Sequence, residues 1–261
     1  MTSIITFTTD FGTDSPYVAQ MKASVLSLLP AAQIVDITHS IGAQNVMEGA
    51  SVLSDNAFYF PAGTIHVAVV DPGVGTNREI VAAQVAGHWF IAPDNGLLTG
   101  VLQKGEVSDL RSVANRDLWR SEVSQTFHGR DIMAPIAAHL VNGASAEEIG
   151  PSCKELIALP WPIASEKDSV VQGEIVYVDS FGNLITNILR RDVPTVASDN
   201  ILVQCADVSI NGITTTYGDC EAGALVALFG STDRLEIAIA QGNAARQTGL
   251  AVGQTVVLTR R

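Results

Sequence analysis

Asp71 and Arg78 stand at the two ends of the turn Asp71-Pro72-Gly73-Val74-Gly75-Thr76-Asn77-Arg78, which follows the apolar run Ile65 to Val70. An apolar, β-branched run stopped by Asp-Pro-Gly reads as a buried strand, so a carboxylate is placed at the strand's end. Gly73 and Gly75 let the backbone reverse and bring Arg78 back within reach of Asp71. A histidine, His128, lies between Phe127 and Gly129 in Thr126-Phe127-His128-Gly129-Arg130-Asp131, at the entrance of a helical stretch. An imidazole beside a carboxylate and a guanidinium can take or position a proton near neutral pH. The plainer alternative is a strand and turn carrying a surface ion pair, and these stretches alone leave both readings open.

Three more polar turns fall at strand ends: Asp10 to Asp14, Asp94-Asn95, and Asp179-Ser180-Phe181-Gly182-Asn183 with Thr186-Asn187 beyond it. Asp10 can accept bonds from two adjacent sugar hydroxyls and Phe181 can stack on a base; equally, Asp10 or Asp179 can hydrogen-bond its own turn. Gly73-Val74-Gly75 lacks the Lys-Ser/Thr of a phosphate loop. His39, His66, His88 and His139 read as structural, His66 lying inside an apolar strand and His139 on a packed helix.

The elements that must position these residues alternate. Ile4 to Thr8 and Ile34 to Ile37 read as strands, and Val18, Met21, Val25, Leu28 and Leu29 mark a helix between them, with Ser15 as its cap and Pro16 in its first turn. A second helix carries Val46, Ala50, Leu53 and Ala57 ahead of the Ile65 strand, so the sheet should be mainly parallel. Ile80 to Val85 and Trp89 to Ile91 flank Ala86-Gly87-His88 as a hairpin. Beyond Gly150, Pro151, Pro160 and Pro162 interrupt the pattern, and short β-rich runs follow: Gly173–Val178, Ile201–Val203, Ala224–Phe229, Leu235–Ala240 and Thr255–Thr259. The expected architecture is an α/β N-terminal domain with a mainly parallel sheet (1–160), a linker (161–169), and a smaller all-β, barrel-like C-terminal domain (170–261).

The formal charge of −12 disfavours nucleic acid or an anionic membrane as the main partner, since both are repelled at long range. Cys153, Cys205 and Cys220 are odd in number, widely spread and without metal-type spacing, which predicts core thiols in a reducing compartment. No basic region followed by a long apolar stretch opens the chain, and no apolar run nears the roughly 18 residues of a membrane span, so the expectation is a soluble, cytoplasmic protein.

Taken together the motifs Thr9-Asp10-Phe11-Gly12, Val70 to Thr76 with Arg78, Ala92-Pro93-Asp94-Asn95-Gly96-Leu97-Leu98, Thr126 to Asp131, Asp179 to Asn183 with Thr186-Asn187, and Leu235-Glu236-Ile237-Ala238 with Gly242-Asn243-Ala244-Ala245 resemble the S-adenosyl-L-methionine hydroxide adenosyltransferases. These are adenosine-forming hydrolases related to fluorinase and chlorinase. The resemblance implies a homotrimer with substrate at the subunit interfaces, no metal, and no cofactor beyond S-adenosyl-L-methionine itself as substrate. It implies a catalytic triad of Asp71, Arg78 and His128, and substrate contacts from Asp10, Phe127, Gly129, Asp179, Phe181, Asn183, Ser231, Ile239 and Ala240. Halogen-transferring relatives carry tyrosines where this chain has Asp71 and His128, and fluorinase has an extra loop in its first domain, so water is the expected nucleophile. Gln44 stands where halogenases place a tryptophan, and Gly230-Ser231-Thr232-Asp233 lacks the Asn and Gly usual in the hydrolases' turn. The alternatives are a chlorinase-like, halide-using adenosyltransferase and a non-catalytic adenosine or S-adenosyl-L-methionine sensor.

Overall fold

The computed structural model describes residues 4–193 and 200–260. The chain divides into two compact units that meet in sequence at Trp161 and Pro162.

Unit 1 runs β1 (Ile4–Thr9), α1 (Tyr17–Leu28), β2 (Gln33–Thr38), α2 (Val46–Asn56), β3 (Ile65–Val69), β4 (Ile80–Val85), β5 (His88–Pro93), α3 (Thr99–Leu102), β6 (Val107–Ser112), α4 (Ala134–Val141) and α5 (Ala146–Ile149). Among the described residues, six strands form one sheet in the order β2-β1-β3-β5-β4-β6. The β2-β1-β3-β5 part is parallel, and β4 and β6 add antiparallel pairs at one side, so the sheet is parallel where the polar turns are. Along β3 the side chains alternate as the pleat requires. Ile65, Val67 and Val69 pack with Met21 and Val25 of α1 and Ile136 of α4, while Ala68 and Val70 pack with Ala50 and Leu53 of α2. Both faces of β3 are therefore covered, which is why its sequence, apart from the buried His66, is apolar rather than alternating.

Ser15 does not cap α1: its hydroxyl donates to the carbonyl of Phe11 at 3.0 Å, and the helix starts after Pro16 without a side-chain cap. The second helix is capped by Asn45, whose side chain accepts the Glu48 N–H at 3.1 Å. Ahead of α4, residues 129–133 form a π-helical turn in which the Ala134 N–H reaches the Gly129 carbonyl. In that wide register the Arg130 carbonyl faces Pro135, which has no N–H to offer. The Ser24 hydroxyl of α1 donates to it instead, at 2.8 Å. The proline-broken stretch after Gly150 closes against unit 1: Ile157 N–H donates to Asp94, Leu159 N–H donates to Thr99, and Trp161 lies over Gly100, where a Cβ would come within 2.4 Å of its ring.

Unit 2 contains β7 (Ser165–Lys167), β8 (Val170–Val178), β9 (Leu184–Leu189), β10 (Ile201–Cys205), β11 (Val208–Asn211), β12 (Leu225–Phe229), β13 (Arg234–Ile239), α6 (Ala244–Thr248) and β14 (Thr255–Arg260). Ser165–Lys167, in the stretch expected as linker, pairs with β8. The described strands form an all-antiparallel sheet, β11-β10-β14-β8-β9-β13-β12. The sheet curls until its two ends approach: Thr214, just past β11, donates its N–H to Ala227 of β12 at 2.8 Å. Inside lie Ile175, Leu184, Ile188, Val203, Leu235 and Val256. The expected barrel-like second fold is present. Cys205 is a core thiol, while Cys153 and Cys220 are half-buried. Among the described residues no helix is long and apolar enough to cross a membrane.

Candidate functional site

In unit 1 the polar residues gather at the carboxyl ends of β1 and β3, neighbouring parallel strands in which Thr9 is level with Val69. Ligands dock at such strand ends in open α/β sheets. Asp10 follows β1, and its Oδ2 accepts the backbone N–H of Gln44 at 2.8 Å. Gln44 itself has a left-handed backbone, φ 64°.

Asp71 follows β3, and here the ion pair is a buried fork. Arg78 Nε lies 3.0 and 3.1 Å from the two carboxylate oxygens and Nη2 lies 2.5 Å from Oδ2. The Asp71 and Arg78 side chains are only 5% and 10% exposed, which rules out the plain surface pair. The same Nη2 donates to His128 Nδ1 at 2.9 Å, so the structure brings all three triad residues together.

Two glycines make this meeting possible. Gly75 has φ 79°, and a Cβ there would lie 2.3 Å from the Gln125 carbonyl, so the turn after β3 touches the backbone just ahead of Phe127-His128. Gly129 is buried against Val69 and Met21, where a Cβ would lie 3.3 Å from each. It seats the segment on β3 two residues before Asp71. Asn95 donates to the Val70 carbonyl at 2.9 Å and fixes the backbone from which Asp71 departs.

Arginine has donors and no acceptor, so His128 Nδ1 must accept and the proton of the neutral ring sits on Nε2. Burial, and then the Arg78 charge, push the His128 pKa below its ordinary value, against the opposing charges of Asp71 and Asp131. The cluster thus presents donors, the Nε2–H of His128 and the guanidinium, rather than a free basic nitrogen. Arg78 and His128 open onto a cleft of 580 Å³ that Trp119 and Arg116 also line. Phe127 is 9% exposed and packs edge-on to Phe11 and Tyr17, with Arg130 over its ring. Asp131, fully buried, anchors the same loop. Burial alone would raise its pKa, yet Arg130, the Ser124 N–H and Arg120 hold it low.

In unit 2 a second cleft, of 780 Å³, is lined by Asp179, Phe181, Asn183, Ser231 and Ile239, five of the six residues expected there. Ala240 does not line it; its N–H donates to Ala224 and its carbonyl accepts from Gly223. Asp179 orders its own turn, accepting the N–H groups of Phe181 and Asn183 on Oδ1 and the Asn183 amide on Oδ2 at 2.8–2.9 Å. Phe181 is thereby held out of the turn, 75% exposed. Sequence reading gave no role to two further wall residues, Tyr217 and Glu236. Tyr217 lies in a stretch without periodicity, and Glu236 lies inside a mainly apolar strand that also carries Arg234. Among the described residues, no group of three or more His, Cys, Asp and Glu is placed to hold a metal.

Fold and site define an α/β-plus-β-barrel protein with a proton-positioning cluster at the ends of its parallel strands and a polar, aromatic-edged cleft in its β unit. The chain belongs to the SAM hydroxide adenosyltransferase family: the family's N-terminal domain matches residues 5–150 and its C-terminal domain residues 173–257. Proteins named (R)-S-adenosyl-L-methionine hydrolase are similar throughout. That of Salinispora tropica is 34% identical over 98% of this chain and 97% of its own, and that of Thermus thermophilus 36% identical over 97% and 98%. Proteins named fluorinase match at 29–33% identity. The crystal structure of an uncharacterized conserved protein from Thermotoga maritima superposes with a TM-score of 0.94 at 35% identity, covering 98% of this chain and 100% of that one.

Proposed function

We propose that this protein hydrolyses S-adenosyl-L-methionine to adenosine and L-methionine, by attack of water or hydroxide on the ribose C5′. The observation that carries the reading is the hydrogen-bonded cluster of Asp71, Arg78 and His128, supported by the names of relatives matched over nearly the full chain.

The leaving group departs from a sulfonium as a neutral thioether, so it needs no general acid. The demand falls on the nucleophile, because hydroxide is scarce at neutral pH and the reaction releases one proton overall. A cluster that presents Arg78 N–H groups and the His128 Nε2–H stabilises developing hydroxide character, and Asp71 fixes the guanidinium that supplies the charge. For His128 to accept the proton itself, the Arg78–Nδ1 bond must first open. Asp71 and His128 thus orient, and Arg78 supplies most of the electrostatic stabilisation. In this reading Asp10 takes the ribose hydroxyls, and Asp179, Phe181, Asn183, Ser231 and Ile239 the rest of the substrate. The reaction requires neither a metal nor a cofactor.

We further infer a cytoplasmic homotrimer with its sites at subunit interfaces; a solution mass of three times the 27.5 kDa chain checks the assembly, and a monomer overturns it. The test of function is incubation with the substrate in ¹⁸O-labelled water. Adenosine and methionine should form, with the label on the 5′ oxygen. A 5′-haloadenosine formed in chloride or fluoride buffer would move the protein to the halogenating branch, and binding without turnover would make it a sensor.

A further inference from the structure

Glu236 is 93% buried in β13, between strands whose facing residues are Leu228 and Ile185. A carboxylate there costs stability, and an apolar residue of similar size would pack as well. The backbone makes deliberate room for it. At Gly230 a Cβ would lie only 1.6 Å from Glu236 Oε1, so Gly230 and Glu236 occupy one volume between them. The other oxygen, Oε2, accepts the hydroxyl of Tyr217 at 2.5 Å. Tyr217 sits in the short helical turn Tyr217–Asp219, is 39% exposed, and shares the cleft wall with Asp179, Phe181 and Glu236. The backbone around it is held by the Thr214 N–H on Ala227, by bonds within its own turn such as the Gly218 N–H on Thr216, and by Cys220 packing against Val226, Leu228 and Ala238, none of which fixes the Tyr217 ring. The hydroxyl–carboxylate bond is therefore what ties the Tyr217 ring to the rigid sheet.

We propose that Glu236 is a positioning residue for substrate binding: seated in the space left by Gly230, it fixes Tyr217 as a rigid aromatic wall of the unit 2 cleft. This rests on the reading of that cleft as part of the S-adenosyl-L-methionine site. Burial raises the Glu236 pKa, with the Tyr217 bond opposing and the Asp179 charge adding, so the group is kept at some electrostatic expense beside a second carboxylate. Perturbed carboxylates of this kind concentrate at functional sites. The tie acts on binding rather than on the chemical step, because the reacting groups belong to the triad.

Steady-state kinetics of Glu236→Leu, Glu236→Gln and Tyr217→Phe test it. Losing one well-made hydrogen bond to an ordered ring should raise KM about 10-fold in Glu236→Leu and in Tyr217→Phe, with kcat within about 2-fold of wild type. Glu236→Gln keeps an acceptor of the same shape and should restore KM. The double variant Glu236→Leu/Tyr217→Phe should be no worse than either single variant, since both remove the same bond. An unchanged KM in Tyr217→Phe, or a Glu236→Gln as impaired as Glu236→Leu, overturns the proposal while leaving the hydrolase reading intact. Wild-type protein that neither turns over nor binds the substrate overturns both.

Discussion

Arg78 donates to Asp71 and His128 through the same nitrogen, Nη2, 2.5 Å from Asp71 Oδ2 and 2.9 Å from His128 Nδ1. One guanidinium therefore sets the carboxylate's geometry and the imidazole's tautomer together. A lysine ammonium is a point charge that lacks the planar Nε and Nη2 fork gripping both Asp71 oxygens, so it cannot reproduce that fixed geometry while it bonds His128. Arg78→Lys should lower kcat by on the order of 100-fold, with KM changed far less, because preorganised charge acts mainly on the transition state. Single-turnover and steady-state kinetics read both quantities.

The tautomer makes a prediction about pH. Protonation of His128 fills Nδ1 and breaks its bond to Arg78, so the cluster is intact only above the His128 pKa. Burial and the Arg78 charge hold that pKa below 6.5. The acid limb of kcat/KM should accordingly fall below 6.5, with activity lost as pH drops through it. In Arg78→Met the cationic neighbour is gone, and an NMR titration of the His128 ring should show its pKa moved upward. A titration unchanged from wild type would separate His128 from Arg78.

Gly75 is where the turn after β3 meets the backbone carbonyl of Gln125. Gly75→Ala forces a side chain both into a left-handed conformation and to within 2.3 Å of that oxygen, so the two loops must part. The expected result is a loss of at least about 10-fold in kcat, since small displacements of positioned groups have large kinetic effects. The melting temperature should fall by only a few degrees. Comparing the two measurements distinguishes misplacement of Arg78 from general unfolding.

Away from the site, His66 donates or accepts at Thr6 Oγ1 (2.7 Å) and faces His88 Nδ1 (3.3 Å), fully buried beside Phe90. Burial, with the nearby His88, lowers its pKa to about 3. The unfolded chain binds a proton near 6.5 that the folded chain refuses until about pH 3. This group's contribution is therefore complete above 6.5 and is lost as pH falls between those values. Chemical denaturation at pH 7 and pH 4.5 should show wild type losing more stability than His66→Gln, by on the order of 1–3 kcal/mol.

The sequence by itself determined a good deal. The mainly apolar run Ile65 to Val70 marks β3 as a buried strand, and helical spacing in α1 and α2 between strands dictates a mainly parallel sheet. Polar turns at strand ends marked Asp10, Asp71, Arg78, His128, Asp179 and Asn183, because turn chemistry and strand periodicity are local properties of the chain. Hydrogen-bond partners are not local. Ser15 had the right type for a cap, yet its hydroxyl bonds Phe11, and the packing of Phe127 on Phe11 and Tyr17 and of Gly129 on Val69 and Met21 joins residues far apart in the chain. Only the tertiary structure places His128 on Arg78 across 50 residues of chain, which settles which ring nitrogen carries the proton. It alone shows Glu236, a buried carboxylate in a mainly apolar strand, lodged where Gly230 has no side chain, because that fit depends on two strands meeting in space.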